Sequence, residues 1–380
     1  MARRLLAVVT VALFAGAGGF PGADAWAARP AGTVVAAAKL PKRLWIPGTT
    51  SRALRLTYLT TDGRGRRARS TGTVFLPKGR TPRGGWPVIS WAHGTSGLGD
   101  RCAPSRVGPA LPERDRPYLA RWMREGYAIV ASDYAGLGTS GLAAYLHGRS
   151  EAHNIVDIVK AARAYTGRLA RKWVVIGQSQ GAGAAIYTAR WATRFGGRGL
   201  DYRGAVGTGT PAYIEDVAEG IGPANGTLSP GFTSYLTYIV ASLRWVHPEL
   251  GIDGTLTKSG RRYVKLAETA CVMEFEKRLA GVRLGGFFTR PLADLPGFAR
   301  KVDRYMAMPE KGFDRPFFMG HGTKDADVPY GLTDRYVRAL RQNGEPLTFK
   351  SYDADHSGTL IASQKDTRPF VRKLFAARRP

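Results

Sequence analysis

One pentapeptide constrains this chain more than anything else in it. Gly177-Gln178-Ser179-Gln180-Gly181 follows the apolar run Trp173-Val174-Val175-Ile176 and precedes the small-residue stretch Ala182-Gly183-Ala184-Ala185-Ile186. The pattern reads as strand, sharp turn, helix. A serine at the tip of such a turn is held in a strained backbone conformation, and the flanking glycines let strand and helix approach closely enough to permit it. Its hydroxyl then points outward. In a chain with 48 glycines the pentapeptide alone discriminates weakly, so its context has to carry the reading.

A serine hydroxyl attacks only when a base takes its proton and a further group orients that base. Around this type of turn the partners follow in the order serine, acid, histidine. Of the six histidines, His93, His147 and His153 precede Ser179, His247 lies in an aromatic-rich middle segment and His321 sits in an apolar strand-like run. His356 is therefore the expected base. The acid is expected just beyond the late strand Pro316–Gly320, where Asp325 is preferred over Asp327, whose competing reading is a turn residue bonded to local backbone. Asp355, next to His356, is expected in a loop with its side chain turned away. An attacked ester carbonyl develops a negative oxygen that needs preorganised N–H donors. The backbone N–H of Gln180 is one, and the N–H of Thr95, in the loop His93-Gly94-Thr95-Ser96-Gly97 after the strand Val88–Ala92, is the second. His93 reads as a residue bonding its own loop.

In these residues the chain resembles the secretory lipases of fungi and actinobacteria, a branch of the α/β-hydrolases. The resemblance rests on Trp91–Gly97 with Cys102-Ala103-Pro104-Ser105 beyond, Asp133-Tyr134-Ala135-Gly136-Leu137-Gly138, the turn at Ser179, and His321-Gly322-Thr323-Lys324-Asp325. It implies the α/β-hydrolase fold: a mostly parallel central sheet with helices on both faces and an inserted lid. It also implies hydrolysis of carboxylic esters, often acylglycerols, with no cofactor. Two other functions fit the same residues, an acyltransferase to a sugar or cell-envelope acceptor and a non-catalytic binding protein on the same scaffold. Asp133 reads either as support for the loop beside the serine or as a self-capped turn residue.

The organisation along the chain agrees with that fold. Residues 1–27 read as a signal peptide, basic at Arg3-Arg4 and then apolar, with cleavage after Ala25 or Ala27; the residues after the arginine pair fit a twin-arginine signal poorly. Residues 28–212 form the first part of the core. Arg52–Thr60 and Ser70–Leu76 are the strands of an opening hairpin turned at Asp62–Gly65. Val88–Ala92, Ala128–Ser132, Trp173–Ile176 and Ala205–Gly209 are short apolar runs separated by helices near Leu119–Glu125, Glu151–Tyr165 and Ala182–Phe195, the signature of a parallel sheet covered on both faces. Residues 213–303, rich in glycine, proline and aromatics, break the alternation and read as the lid. There Phe232, Tyr235, Leu236, Ile239 and Leu243 share one helical face, with Tyr238 and Val240 elsewhere, and Gly285-Gly286 beside Leu284, Phe287 and Phe288 form an expected hinge. Residues 304–380 complete the core: a helix Leu332–Gln342 stopped at Asn343-Gly344, a strand Leu347–Tyr352, the loop of His356 and a helix Ala362–Ala376.

Two cysteines in an exported chain imply one disulfide, Cys102 to Cys271, against the alternative of two buried thiols. No histidine or cysteine cluster has metal-ligand spacing. The net charge of +27, or +26 without residues 1–27, points to solubility and adhesion to anionic surfaces, or to a surface merely biased toward arginine. The basic residues are scattered and no nucleic-acid motif accompanies them. No later run is long and apolar enough to span a membrane.

Overall fold

The computed structural model describes residues 29–377. The expected signal peptide and both cleavage positions lie outside the described residues. Nine strands form one sheet: β1 (Val34–Lys39), β2 (Thr50–Thr61), β3 (Arg67–Pro77), β4 (Trp86–Ala92), β5 (Ala128–Ser132), β6 (Leu169–Gln178), β7 (Asp201–Thr208), β8 (Phe317–Gly322) and β9 (Leu347–Tyr352). Their order across the sheet is β1-β2-β3-β5-β4-β6-β7-β8-β9. The first four in that order pair antiparallel, and from β5 to β9 every pairing is parallel.

Consecutive side chains of a strand point to opposite faces, and a parallel sheet buries both. The inner strands follow that rule. On β6, Trp173 and Val175 enter the apolar cluster on one face, Val174 and Ile176 the cluster on the other, and all four are fully buried. The layers that cover them are drawn from nine helices of eight residues or more among the described residues: α1 (Pro112–Arg124), α2 (Gly148–Thr166), α3 (Gln180–Gly196), α4 (Pro230–Val246), α5 (Lys258–Ala267), α6 (Val272–Leu279), α7 (Phe298–Met306), α8 (Tyr330–Gln342) and α9 (Gln364–Ala376). Ile155, Ile158, Val159 and Ala162 of α2 pack on the first face with Ala185 and Ile186 of α3 and Tyr336 and Val337 of α8. Trp122 and Met123 of α1 and Val371 and Leu374 of α9 pack on the second.

The segment 213–303 stands apart in composition and in packing. Helices α4 to α7 and the short helix Ile214–Glu219 bury their apolar residues mainly against one another, in a third cluster reached from the core by Leu98, Leu137 and Tyr145. Leu236, Ile239 and Leu243 face inward as the helical spacing predicts, but Tyr238 and Val240 are fully buried too, so α4 is enclosed on more than one side. The hinge expectation at Gly285-Gly286 meets a different arrangement. Leu284, Phe287 and Phe288 are buried, and a Cβ on Gly285 would stand 2.3 Å from the Pro223 carbonyl oxygen, so this glycine serves close packing. Cys102 and Cys271 form the disulfide, with Cα atoms 5.3 Å apart. Closing a loop of 169 residues stabilises the fold by about 5 kcal/mol in the chain-entropy model. Beside it Gly97 forms an isolated bridge with Cys271, and the Val272 N–H donates to Ser96 O at 3.0 Å, so loop 93–97 is stitched to the start of α6.

Smaller differences from the sequence reading have local causes. Strand β1, unforeseen in its alanine-rich run, pairs with β2 at the sheet edge. Strand β7 stops at Thr208, because Gly209 turns at φ 63°. The last helix is two helices, Gly358–Ala362 and α9, separated at Ser363.

Candidate active site

Ser179 stands between the end of β6 and the start of α3 at φ 58° and ψ −125°. No ordinary side chain favours that backbone, and it persists because its surroundings over-determine it. The flanking glycines are sterically obligatory. A Cβ on Gly177 would lie 1.9 Å from Gly181 O, and one on Gly181 would lie 1.9 Å from Ala92 O. The serine N–H donates to Thr208 O at 2.9 Å, and its carbonyl accepts the Ala182 N–H at 2.8 Å. Gln180 is the first residue of α3, so its N–H belongs to the helix end whose donors have no intrahelical acceptor.

The structure brings the three distant candidates together. His356 Nδ1 lies 2.7 Å from Asp325 Oδ2, while its Nε2 is buried without a hydrogen-bond partner among the described residues. His356 and Ser179 line the same cavity, of about 430 Å³, whose wall also includes His93, Gly94, Thr95 and Gln178. The imidazole is held by close contact: a Cβ on Gly209 would meet its Cε1 at 2.8 Å, and Gln178 Nε2 donates to His356 O at 3.3 Å.

Asp325 is anchored more thoroughly than spacing alone foretold. Its Oδ1 accepts the N–H groups of Asp327 and Val328 at 3.0 and 2.8 Å, and its Oδ2 lies 3.2 Å from His321 Nε2 as well as near His356. Burial would raise its pKa, but the bonds from His321, His356 and the backbone outweigh that cost and hold the carboxyl below its usual range. His321 is a residue that the sequence reading missed, since an apolar strand hides the fact that its ring reaches the aspartate. Asp327 forms no hydrogen bond to His356, which separates it from Asp325. Asp355 accepts the Gly358 N–H at 2.6 Å, as a turn residue does.

The loop after β4 is braced from several directions. His93 Nδ1 lies 2.7 Å from Gly94 O, matching the expected bond to its own loop, and its ring stacks 4.5 Å from Tyr134. Burial lowers the His93 pKa, so the ring is neutral, with Nδ1 carrying the proton given to Gly94. Thr95 Oγ1 and the Tyr145 hydroxyl are 2.6 Å apart. Asp133 accepts from the Thr71 hydroxyl at 2.6 Å and from the Ser105 N–H at 2.9 Å, so it supports the neighbouring loop instead of capping itself.

A second residue missed by the sequence reading bonds to the neighbour of the serine. Glu151, in the first turn of α2, accepts from Gln180 Nε2 at 2.7 Å and is 2 % exposed. Burial pushes its carboxyl up to about 8, against a smaller lowering by Gln180. A glutamate at a helix start is ordinarily a solvated dipole partner, so nothing local distinguished it.

The model of one family, secretory lipase, matches residues 109–303, just over half of the chain. The chain belongs to the secretory lipase family. It is accordingly a lipase or esterase of the serine hydrolase type. The secreted triacylglycerol lipase LIP1 of Malassezia furfur is 23% identical over 373 residues, covering 92% of this chain and 73% of the relative. Among solved structures, Candida antarctica lipase A superposes with a TM-score of 0.75 at 22% identity, covering 93% of this chain and 84% of that one. The rice cell wall degrading esterase LipA of Xanthomonas oryzae gives 0.73 at 19% identity, covering 92% and 100%. These similarities place the secretory lipase in the α/β-hydrolase fold. No helix among its described residues is long and apolar enough to cross a membrane.

Proposed function

We propose that this secretory lipase cleaves carboxylic esters through an acyl-enzyme on Ser179, with His356 as general base and acid and Asp325 as the group that orients it. The observation that carries the reading is the buried, unpartnered Nε2 of His356, a residue that lines one cavity with Ser179 and whose Nδ1 lies 2.7 Å from Asp325 Oδ2. In the first step Nε2 takes the hydroxyl proton as Ser179 Oγ bonds to the ester carbonyl carbon. The N–H groups of Gln180 and Thr95 donate to the developing oxyanion, a contribution of about a hundred- to a thousandfold in turnover per donor. His356 then gives its proton to the departing alcohol. Water, deprotonated by the same imidazole, attacks the acyl-enzyme and releases the free acid.

The substrate is an acylglycerol or a related lipid ester, by analogy with the Malassezia relative named as a triacylglycerol lipase. We assign residues 213–303 as the lid over the acyl site and residues 28–212 with 304–380 as the hydrolase core. Residues 1–27 are assigned as the leader that directs export, so that the mature enzyme acts outside the cell, with adhesion to anionic surfaces following from its charge of +26. The test is hydrolysis of a short-chain nitrophenyl ester by Ser179→Ala. Loss of turnover with an unchanged circular dichroism spectrum is expected; activity like that of the unaltered enzyme rules the mechanism out.

A further inference from the structure

We propose that the lid-side wall of the active cavity, formed by Glu276, Asp327 and the ring of Tyr235, selects esters that carry an ammonium group. The inference rests on the preceding assignment of Ser179 and His356, and it names the class of substrate that the site prefers.

The starting point is a contrast of charge. The chain carries 56 basic and 29 acidic residues, so a carboxylate is readily matched by a cation. Glu276 and Asp327 are not: neither forms an ion pair among the described residues, although both line the cavity of Ser179. They also lie close to one another. A Cβ placed on Gly231 would stand 3.5 Å from Asp327 Oδ1, 3.6 Å from Glu276 Oε1 and 3.7 Å from Tyr235 Oη, so three oxygens from α4, α6 and the loop after β8 converge on one stretch of wall. Among the described residues the one arginine that lines the cavity, Arg114, is occupied by Asp115 at 2.8 Å and by Ser357 at 3.0 Å. The neighbouring imidazole of His93 is neutral. The uncompensated charge of the cavity is therefore negative.

Independent observations point to a ligand in this space. The Nε2 atom of His356, in a residue 8 % exposed that lines the same cavity, is buried without a hydrogen-bond partner among the described residues. The volume, about 430 Å³, suits a compact ester. Two half-buried carboxylates beside an aromatic ring are the elements that hold a quaternary or primary ammonium: charge from the acids, and the face of the ring for the alkyl groups around nitrogen. Burial raises both carboxyl groups; Asp327 raises Glu276 further, while Asp327 is lowered by His356 and raised by Asp325 and Asp355, and a bound cation offsets the cost of burying the pair.

The experiment compares two esters of one shape, butyrylcholine and 3,3-dimethylbutyl butyrate, which differ in a charged nitrogen against a neutral carbon. The full-length enzyme is expected to show kcat/KM for the cationic ester about tenfold or more above that for the neutral one, the size of one well-placed charge contact. Glu276→Gln, and separately Asp327→Asn, should bring the ratio toward one; a loss common to both esters, from misfolding or disturbed catalysis, cancels in it. A ratio at or below one in the unaltered enzyme, or a ratio that neither variant changes, overturns the proposal. Nitrophenyl butyrate, assayed with the unaltered enzyme and Ser179→Ala, reports separately on the catalytic assignment. Should the enzyme cleave it but neither isostere, its competitive inhibition by choline against 3,3-dimethylbutanol decides: stronger inhibition by choline that Glu276→Gln abolishes supports the proposal, and equal inhibition overturns it.

Discussion

The corner that holds Ser179 and the wall that faces it across the cavity are built on different principles. At the corner, position follows from covalent geometry: a strand end, a serine at φ 58°, and two glycines whose Cβ atoms would each sit 1.9 Å from a carbonyl oxygen. On the facing wall, Glu276, Tyr235 and Gly231 come from helices whose arrangement depends on a mutually packed apolar cluster and one disulfide. The first kind of site leaves a local signature, whereas the second leaves only a composition. A family can therefore keep its chemistry fixed while its substrate wall varies, because only the corner is tied to the backbone of the sheet.

The largest expected effect lies at the corner. Ser179→Ala or His356→Ala should lower kcat by about 10⁴- to 10⁶-fold with the fold intact, and the double variant should cost little more than either alone, as members of one catalytic unit behave. Steady-state kinetics on one neutral ester checks both points. Asp325→Asn should follow, with a loss on the order of a hundred- to ten-thousandfold, because it removes the carboxylate that sets the tautomer of His356. Asp327→Asn on the same ester should cost far less, since its carboxylate meets the imidazole only through the field. The reverse order would transfer the role of acid to Asp327.

The next effect sharpens the contrast from the side of the wall. Replacing Cys102 and Cys271 together by serine should lower global stability by about 2–5 kcal/mol in denaturant titration. Because the bond ties Cys102, just beyond loop 93–97, to the residue that precedes α6, the variant should also show faster hydrogen exchange in residues 213–303 than in β4 and β6. Equal change in both regions would show that segment 213–303 and the sheet unfold as one unit.

The smallest effect concerns Glu151. Its carboxyl is raised to about 8 in the folded protein from an ordinary value near 4.5, so the folded state holds a proton that the unfolded chain releases between those values. Stability from this group is full below pH 4.5 and declines as pH rises toward 8. Glu151→Gln, which retains an acceptor for Gln180, should remove that part of the decline, measured as the difference in Tm between pH 5 and pH 8. A difference as steep as in the unaltered enzyme would contradict the burial argument.

What was legible in the sequence follows the same division. Ser179, Asp325 and His356 could be proposed as partners because few histidines follow the serine and each partner sits just past a strand, and Asp325 lies 2.7 Å from His356, which lines one cavity with Ser179. The strands from β2 to β9 were readable because burial on both faces demands unbroken apolar runs, while β1, with its edge partly exposed and its residues mostly alanine, carried no such demand. His321 and Glu151 were hidden for a common reason. Each looks locally ordinary, one in a strand and the other at a helix start, and acquires its partner only when the sheet brings separate segments together. Tyr238 and Val240 belong with them, because enclosure of α4 on several sides is a property of the packed segment 213–303 and not of one helical face.

We propose that residues 179, 325 and 356 form one working unit. Its most direct test is labelling of the folded enzyme with a fluorophosphonate, followed by mass mapping of the adduct. We expect one phosphonyl group on Ser179, formed rapidly in the unaltered enzyme and at least a thousandfold more slowly, on the order expected for loss of the base, in His356→Ala. An adduct on another residue, or labelling of Ser179 at the same rate without His356, would contradict the account.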